Sequence, residues 1–176
     1  MDTIDCITSK VEVRQFQDKP VPPEVKSKVL EAARLTGSSN NTQHWRFILI
    51  QEKENLKRLA QDSTTGGWVS GADFAVIVLT NPKVNGHLID AGRALQDMQL
   101  AAWSMGVGSG IFTGVNKDKI REDYGIPAEL ESSAFLGFGY PMKKITGKRR
   151  KKRAPMQQIA FSERYGNELS EPSRGL

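Results

Sequence analysis

The chain has 176 residues, 38% of them hydrophobic and 26% charged, with a net charge of +5, enough for one domain with a sizeable core. No break in composition marks a second unit, so residues 1–176 read as a single domain. The longest apolar runs, such as 74–79, fall far short of the roughly 20 residues that span a bilayer, and one cysteine, Cys6, excludes an intrachain disulfide or a thiolate metal cluster. Asp2 and Asp5 stand where a secretory leader carries basic residues, and the expectation is a cytoplasmic protein.

In chain order, Ile4 and Ile7 mark a short helix, and the alternation over 11–16 predicts an extended segment. Pro23 suits a first helical position, and Val25, Val29, Leu30 and Ala33 carry that helix to about Leu35. A polar loop spans 37–43. Phe47 to Ile50 read as a buried strand, 54–61 as a short amphipathic helix around Leu56 and Leu59, and 74–79 as a second apolar strand. The longest helix is expected from Asp90 as its N-cap, with Ala91, Ala94, Leu95, Met98, Ala102 and Met105 on one face. Leu100, Ala101 and Trp103 widen its apolar girth, as in a central or interface helix. Gly106 ends it. A glycine-rich strand or loop follows over 106–112, then a helix capped by Asn116, and a last strand over 134–140. There is no internal repeat, and this order predicts an α+β or α/β sandwich with helices on a small sheet.

Four segments offer chemistry. Gly106, Gly108 and Gly110 invite a dinucleotide-binding reading, yet a helix precedes them and Ile111 stands where the third glycine belongs, which argues against a Rossmann site. They serve either as a helix C-cap and a glycine-bearing strand or as bare backbone against which a flat ligand can lie. The loop 38–43 carries hydroxyls and amides that can bond a polar ligand, or it is an ordinary polar turn. Lys10 and Arg14 near the start, with Lys151 and Arg153 near the end, form an anion cradle if the fold joins them and scattered surface charge if it does not. The basic run 148–153 is a solvated tail, a nucleic-acid patch or a set of phosphate partners. No aromatic platform, recognition helix or zinc motif accompanies it, which argues against nucleic acid.

Taken together, the segments resemble the nitroreductase family along nearly the whole chain. Lys10-Val11-Glu12-Val13-Arg14-Gln15-Phe16 corresponds to the family's Arg-Arg-Ser-Val-Arg-x-Phe opening. The stretch Gly37-Ser38-Ser39-Asn40-Asn41-Thr42-Gln43-His44-Trp45 corresponds to its Pro-Ser-Ser-x-Asn-x-Gln-Pro-Trp and is the most specific match. The Asp90 helix leading into Gly108-Ser109-Gly110, then Gly139-Tyr140-Pro141 and Lys151-Lys152-Arg153, is similar to the family's central helix, glycine segment and phosphate-binding tail.

The resemblance implies an α+β sandwich, with a small, mostly antiparallel sheet flanked by helices, working as a homodimer with flavin sites between subunits. It implies an FMN-dependent oxidoreductase that passes hydride from NAD(P)H to a nitroaromatic, quinone or similar acceptor by a ping-pong route. By resemblance Lys10, Lys151 and Arg153 hold the FMN phosphate, and Val11, Glu12, Ser38, Ser39, Asn41 and Gln43 line the flavin. Gly108, Ser109 and Gly110 offer backbone near its reactive edge, and Arg14 is the catalytic candidate, a cation near the flavin N1 and C2 carbonyl. Glu12 departs from the family's serine and must point away from a phosphate or pair with a neighbouring cation. Gly37 and His44 replace two prolines, and the short stretch between Leu79 and Asp90 leaves an open pocket. The alternatives are a flavin carrier or specialised flavin protein, and a nucleic-acid binder using 148–153.

Overall fold

The computed structural model describes residues 1–143 and 152–169. Helices α1 (Thr3–Ser9) and α2 (Pro23–Leu35) come first, then strand β1 (Arg46–Ile50), helix α3 (Lys53–Gln61) and strand β2 (Phe74–Thr80). Helix α4 (His87–Ser104), strand β3 (Gly108–Phe112), helix α5 (Lys117–Asp123) and strand β4 (Glu131–Gly139) complete the order. The sheet runs β1-β2-β4-β3, and every paired neighbour is antiparallel. No helix among the described residues is long and apolar enough to cross a membrane.

All seven residues of β2 are buried, because this inner strand carries apolar layers on both faces. Phe74, Val76 and Val78 face the layer built by α2 and α4, where Val29 and Ala33 meet Ala91, Ala94 and Met98. Ala75, Ile77 and Leu79 face the opposite layer, with Leu56 and Leu59 of α3 and Ile120 of α5. The alternation sends successive side chains to opposite cores. Phe74 and Phe138, stacked with centroids 4.6 Å apart, join β2 to β4 on the α2–α4 side.

The predicted caps divide. Asn116 caps α5 as expected, its side chain accepting from the Lys119 backbone N–H at 3.2 Å. Asp90 does not cap α4. The helix starts three residues earlier, after Gly86 at φ 79°, and the Asp90 carboxylate lies within the first turn, 3% exposed. A left-handed glycine ends the preceding turn, which frees Asp90 for a tertiary role.

Candidate functional site

The extended segment after α1 is sewn to the sheet. The Val13 N–H donates to the Ser109 carbonyl at 2.8 Å, and the chain continues antiparallel to the end of β4 through Gln17 N to Tyr140 O at 2.8 Å and Met142 N to Gln15 O at 2.9 Å. Val13 and Phe16 point inward and are buried, so Glu12 and Arg14 project to the exposed side.

This placement creates two adjoining clefts. One, of about 640 Å³, is lined by Lys10, Val11, Glu12 and Arg153, with Thr8 and Gln96 completing its polar wall. The other, of about 370 Å³, is lined by Val11, Glu12, Arg14 and Gln15 and by Pro141 and Lys143 beyond β4. Lys10 and Arg153, 143 positions apart in sequence, thus line one cleft, while Arg14 lines the other. Lys151 and the rest of 148–151 lie outside the described residues. Glu12 does not point away: its carboxylate pairs with Lys10 and accepts the Ile111 backbone N–H at 3.1 Å. The Arg14 guanidinium lies 6.0 Å from the centroid of the Trp68 ring, which gives the cation a flat wall to rest on.

The glycine segment takes the first of its two readings, a left-handed Gly106 at φ 80° after α4 and then a glycine-bearing strand. A Cβ on Gly110 would come within 2.6 Å of the Val13 carbonyl oxygen and 2.9 Å of the Trp68 ring. One on Gly108 would meet Val13 at 2.7 Å and Pro141 at 3.0 Å. Protein fills the space these glycines leave open. Ser109 is 1% exposed and its Oγ accepts from Gln99 Nε2 at 3.0 Å, so its side chain faces α4. These residues form the floor that holds Glu12 and Arg14 in place.

The second predicted group, Ser38, Ser39, Asn41 and Gln43, sits at the N-terminal end of α4. Asn40, Asn41 and Gln43 have φ of 49°, 53° and 47°, left-handed values that non-glycine residues adopt at a cost and that Asn tolerates best. The conformation is held by Ser38 Oγ accepting the Gln43 N–H at 3.0 Å and by Arg46 donating to the Gln43 carbonyl at 3.1 Å. Asp90 anchors it to α4 by accepting the Ser39 N–H at 2.9 Å and contacting buried His44 Nε2 at 3.1 Å. The loop anchors at Asp90, whereas Glu12 meets α4 at Gln99 and the Lys10 cleft meets it at Gln96. The predicted residues of these two segments therefore fall into two groups along one helix.

Sequence reasoning missed Gln96, Gln99 and Trp68. Gln99 is a polar residue inside an apolar helix face, 1% exposed, and that break in pattern was the available clue. Trp68 lies in a 3-10 turn, Gly67–Gly71, where no helical or strand periodicity singles it out.

The sequence profile described as Nitroreductase family matches residues 7–85 and 71–140. A curated relative from Methanothermobacter thermautotrophicus, named a putative NADH dehydrogenase/NAD(P)H nitroreductase, is 31% identical over 150 residues, covering 80% of this chain and 78% of that protein. An FMN reductase [NAD(P)H] of Bacillus subtilis is 27% identical over 192 residues, covering 95% and 76%. The crystal structure of a nitroreductase family protein from Clostridium difficile 630 superposes with a TM-score of 0.83 at 28% identity, covering 93% of this chain and 99% of that one. With its α+β sandwich, its antiparallel four-stranded sheet and a profile match across most of its length, the chain belongs to the nitroreductase family.

Proposed function

We propose that the chain is an NAD(P)H-dependent oxidoreductase that binds FMN, with the Lys10–Arg153 cleft as the phosphate end of the site and Arg14 at the ring end. The observation that carries this reading is the joining of Lys10 and Arg153 in one cleft, directly continuous through Val11 and Glu12 with the cleft of Arg14. The donor set fits a phosphate monoester: the Lys10 side chain is only 12% exposed, so its ammonium is partly desolvated, and Arg153 offers a forked donor. Relatives named as an FMN reductase and an NADPH-flavin oxidoreductase support the same cofactor and reductant.

When bound, FMN supplies the capacity to accept hydride from NAD(P)H and pass it to an acceptor. The protein's part is electrostatic and positional. Arg14, steadied against Trp68, would offer a cation to the pyrimidine end of a bound flavin and so would favour its reduction. The floor of Gly108, Ser109 and Gly110 fixes the height of that cation by holding Val13 against β3.

The site is completed by a second copy of the chain, which brings its loop of Ser38, Ser39, Asn41 and Gln43 to the cleft of the first. Leu88 and Ile89 of α4 are 58% and 70% exposed beside that loop, an apolar shoulder suited to a symmetric partner. The acceptor is a flat, electron-poor molecule such as a nitroaromatic or a quinone, admitted through the open cleft at Arg14 and Lys143. The test is titration of the protein with FMN, followed by NAD(P)H oxidation with each acceptor class. Arg14→Ala is expected to lower turnover at least tenfold, about 1.4 kcal/mol of barrier. Unchanged turnover in that variant removes Arg14 from the reaction.

A further inference from the structure

The phosphate end of the site already contains an anion. The Lys10 ammonium is paired with Glu12 Oε1, inside the cleft that Lys10 and Arg153 line. This carboxylate is not a stray surface group, because donors from three parts of the chain hold it. Lys10 and Gln99 Nε2, the latter at 3.3 Å, share Oε1, and the Ile111 backbone N–H of β3 binds Oε2 at 3.1 Å. Gln99 is itself fixed to Ser109 Oγ at 3.0 Å. Glu12 therefore cannot swing aside without breaking its bonds to Gln99 of α4 and Ile111 of β3.

Resting on the flavin reading above, we propose that Glu12 is a resident competitor for Lys10, so that the cleft holds FMN as an exchangeable ligand and not as a permanently bound group. The charges argue for it. A phosphate monoester carries about −1.5 to −2 near neutral pH. Among the described lining residues it meets two cations, Lys10 and Arg153, and one carboxylate, so half of the positive charge is offset before it arrives. A carboxylate only accepts hydrogen bonds, so it offers phosphate oxygens nothing and repels them. Riboflavin, which lacks the phosphate, escapes this repulsion.

The experiment compares wild type with Glu12→Gln, which keeps an oxygen for the Ile111 N–H while removing the charge. Dissociation constants for FMN and for riboflavin are measured by quenching of flavin fluorescence. The expected result is FMN bound about tenfold more tightly by the variant, with riboflavin affinity changed less than twofold. Equal shifts for both flavins, or no gain for FMN, overturn the proposal. A second measurement needs no variant: passage of FMN-loaded wild type through repeated desalting is expected to strip the flavin, and retention of stoichiometric FMN overturns the proposal. If wild type binds neither flavin, the flavin reading itself fails and the proposal falls with it; if it binds FMN and only the comparison fails, that reading stands.

Discussion

Gly110→Ala separates packing from ligand contact in the glycine segment. The added Cβ lands 2.6 Å from the Val13 carbonyl oxygen, a backbone atom that cannot rotate away, and 2.9 Å from the Trp68 ring. Relief requires the 11–16 segment to lift off β3, loosening the 2.8 Å bond from Val13 N to Ser109 O. Overpacking plus one weakened buried hydrogen bond costs about 2–4 kcal/mol. For a chain of this size that lowers the thermal midpoint by about 5–15 °C. Differential scanning calorimetry reads the shift, with Gly67→Ala as control, since nothing lies within 4 Å of a Cβ there. A Gly110→Ala protein of wild-type stability that no longer binds FMN refutes the packing argument and returns the glycine to the ligand.

Other perturbations probe other parts of the account. Arg153→Gln is expected to weaken FMN by up to about fivefold, the upper end for an exposed charge pair, while riboflavin is unaffected; equal losses for both flavins remove Arg153 from the phosphate. A subunit mixture pairing Lys10→Ala/Arg14→Ala with Ser39→Ala/Asn41→Ala is expected to regain about a quarter of wild-type sites, since half of random dimers are mixed and each contains one intact site of two. No recovery would place the whole site in one subunit. Burial, and then the neighbouring Asp123, push the Asp62 carboxyl above the usual carboxylate range. The folded state then binds this proton more tightly than the unfolded chain, so its contribution to stability falls as pH rises through the ordinary carboxylate value and on through the raised one. Asp62→Asn is accordingly expected to gain on wild type in urea midpoint as pH rises above the ordinary carboxylate range, and a constant difference would sink the assignment.

Much of the fold was legible because local pattern and tertiary role coincide. The unbroken apolar run of β2 is that of a strand covered on both faces, and Pro23 begins α2 where its fixed φ is favourable. Legibility failed where a residue's partner is distant in sequence. Asp90 has the composition of a cap but accepts a hydrogen bond from Ser39, 51 positions earlier, and only the packing of that loop on α4 determines this. Likewise β4 opens at Glu131, ahead of the strand expected from Ala134, because Glu131 pairs with Thr80 beyond an irregularity between Val78 and Leu79. At the site, the resemblance chose the residues, and the fold supplied what spacing cannot: Lys10 beside Arg153, and Glu12 bound to Lys10. The glycines were found for a sound reason, the need for close approach, but what approaches them is Val13, Trp68 and Pro141.

The central claim is that the Lys10–Arg153 and Arg14 clefts hold FMN for NAD(P)H-dependent reduction. The visible spectrum of the protein loaded with FMN, recorded anaerobically before and after NADH or NADPH, tests it most directly. A bound-flavin spectrum that bleaches on adding either nucleotide is expected. A protein that binds no FMN, or binds it and stays yellow with both nucleotides, contradicts it.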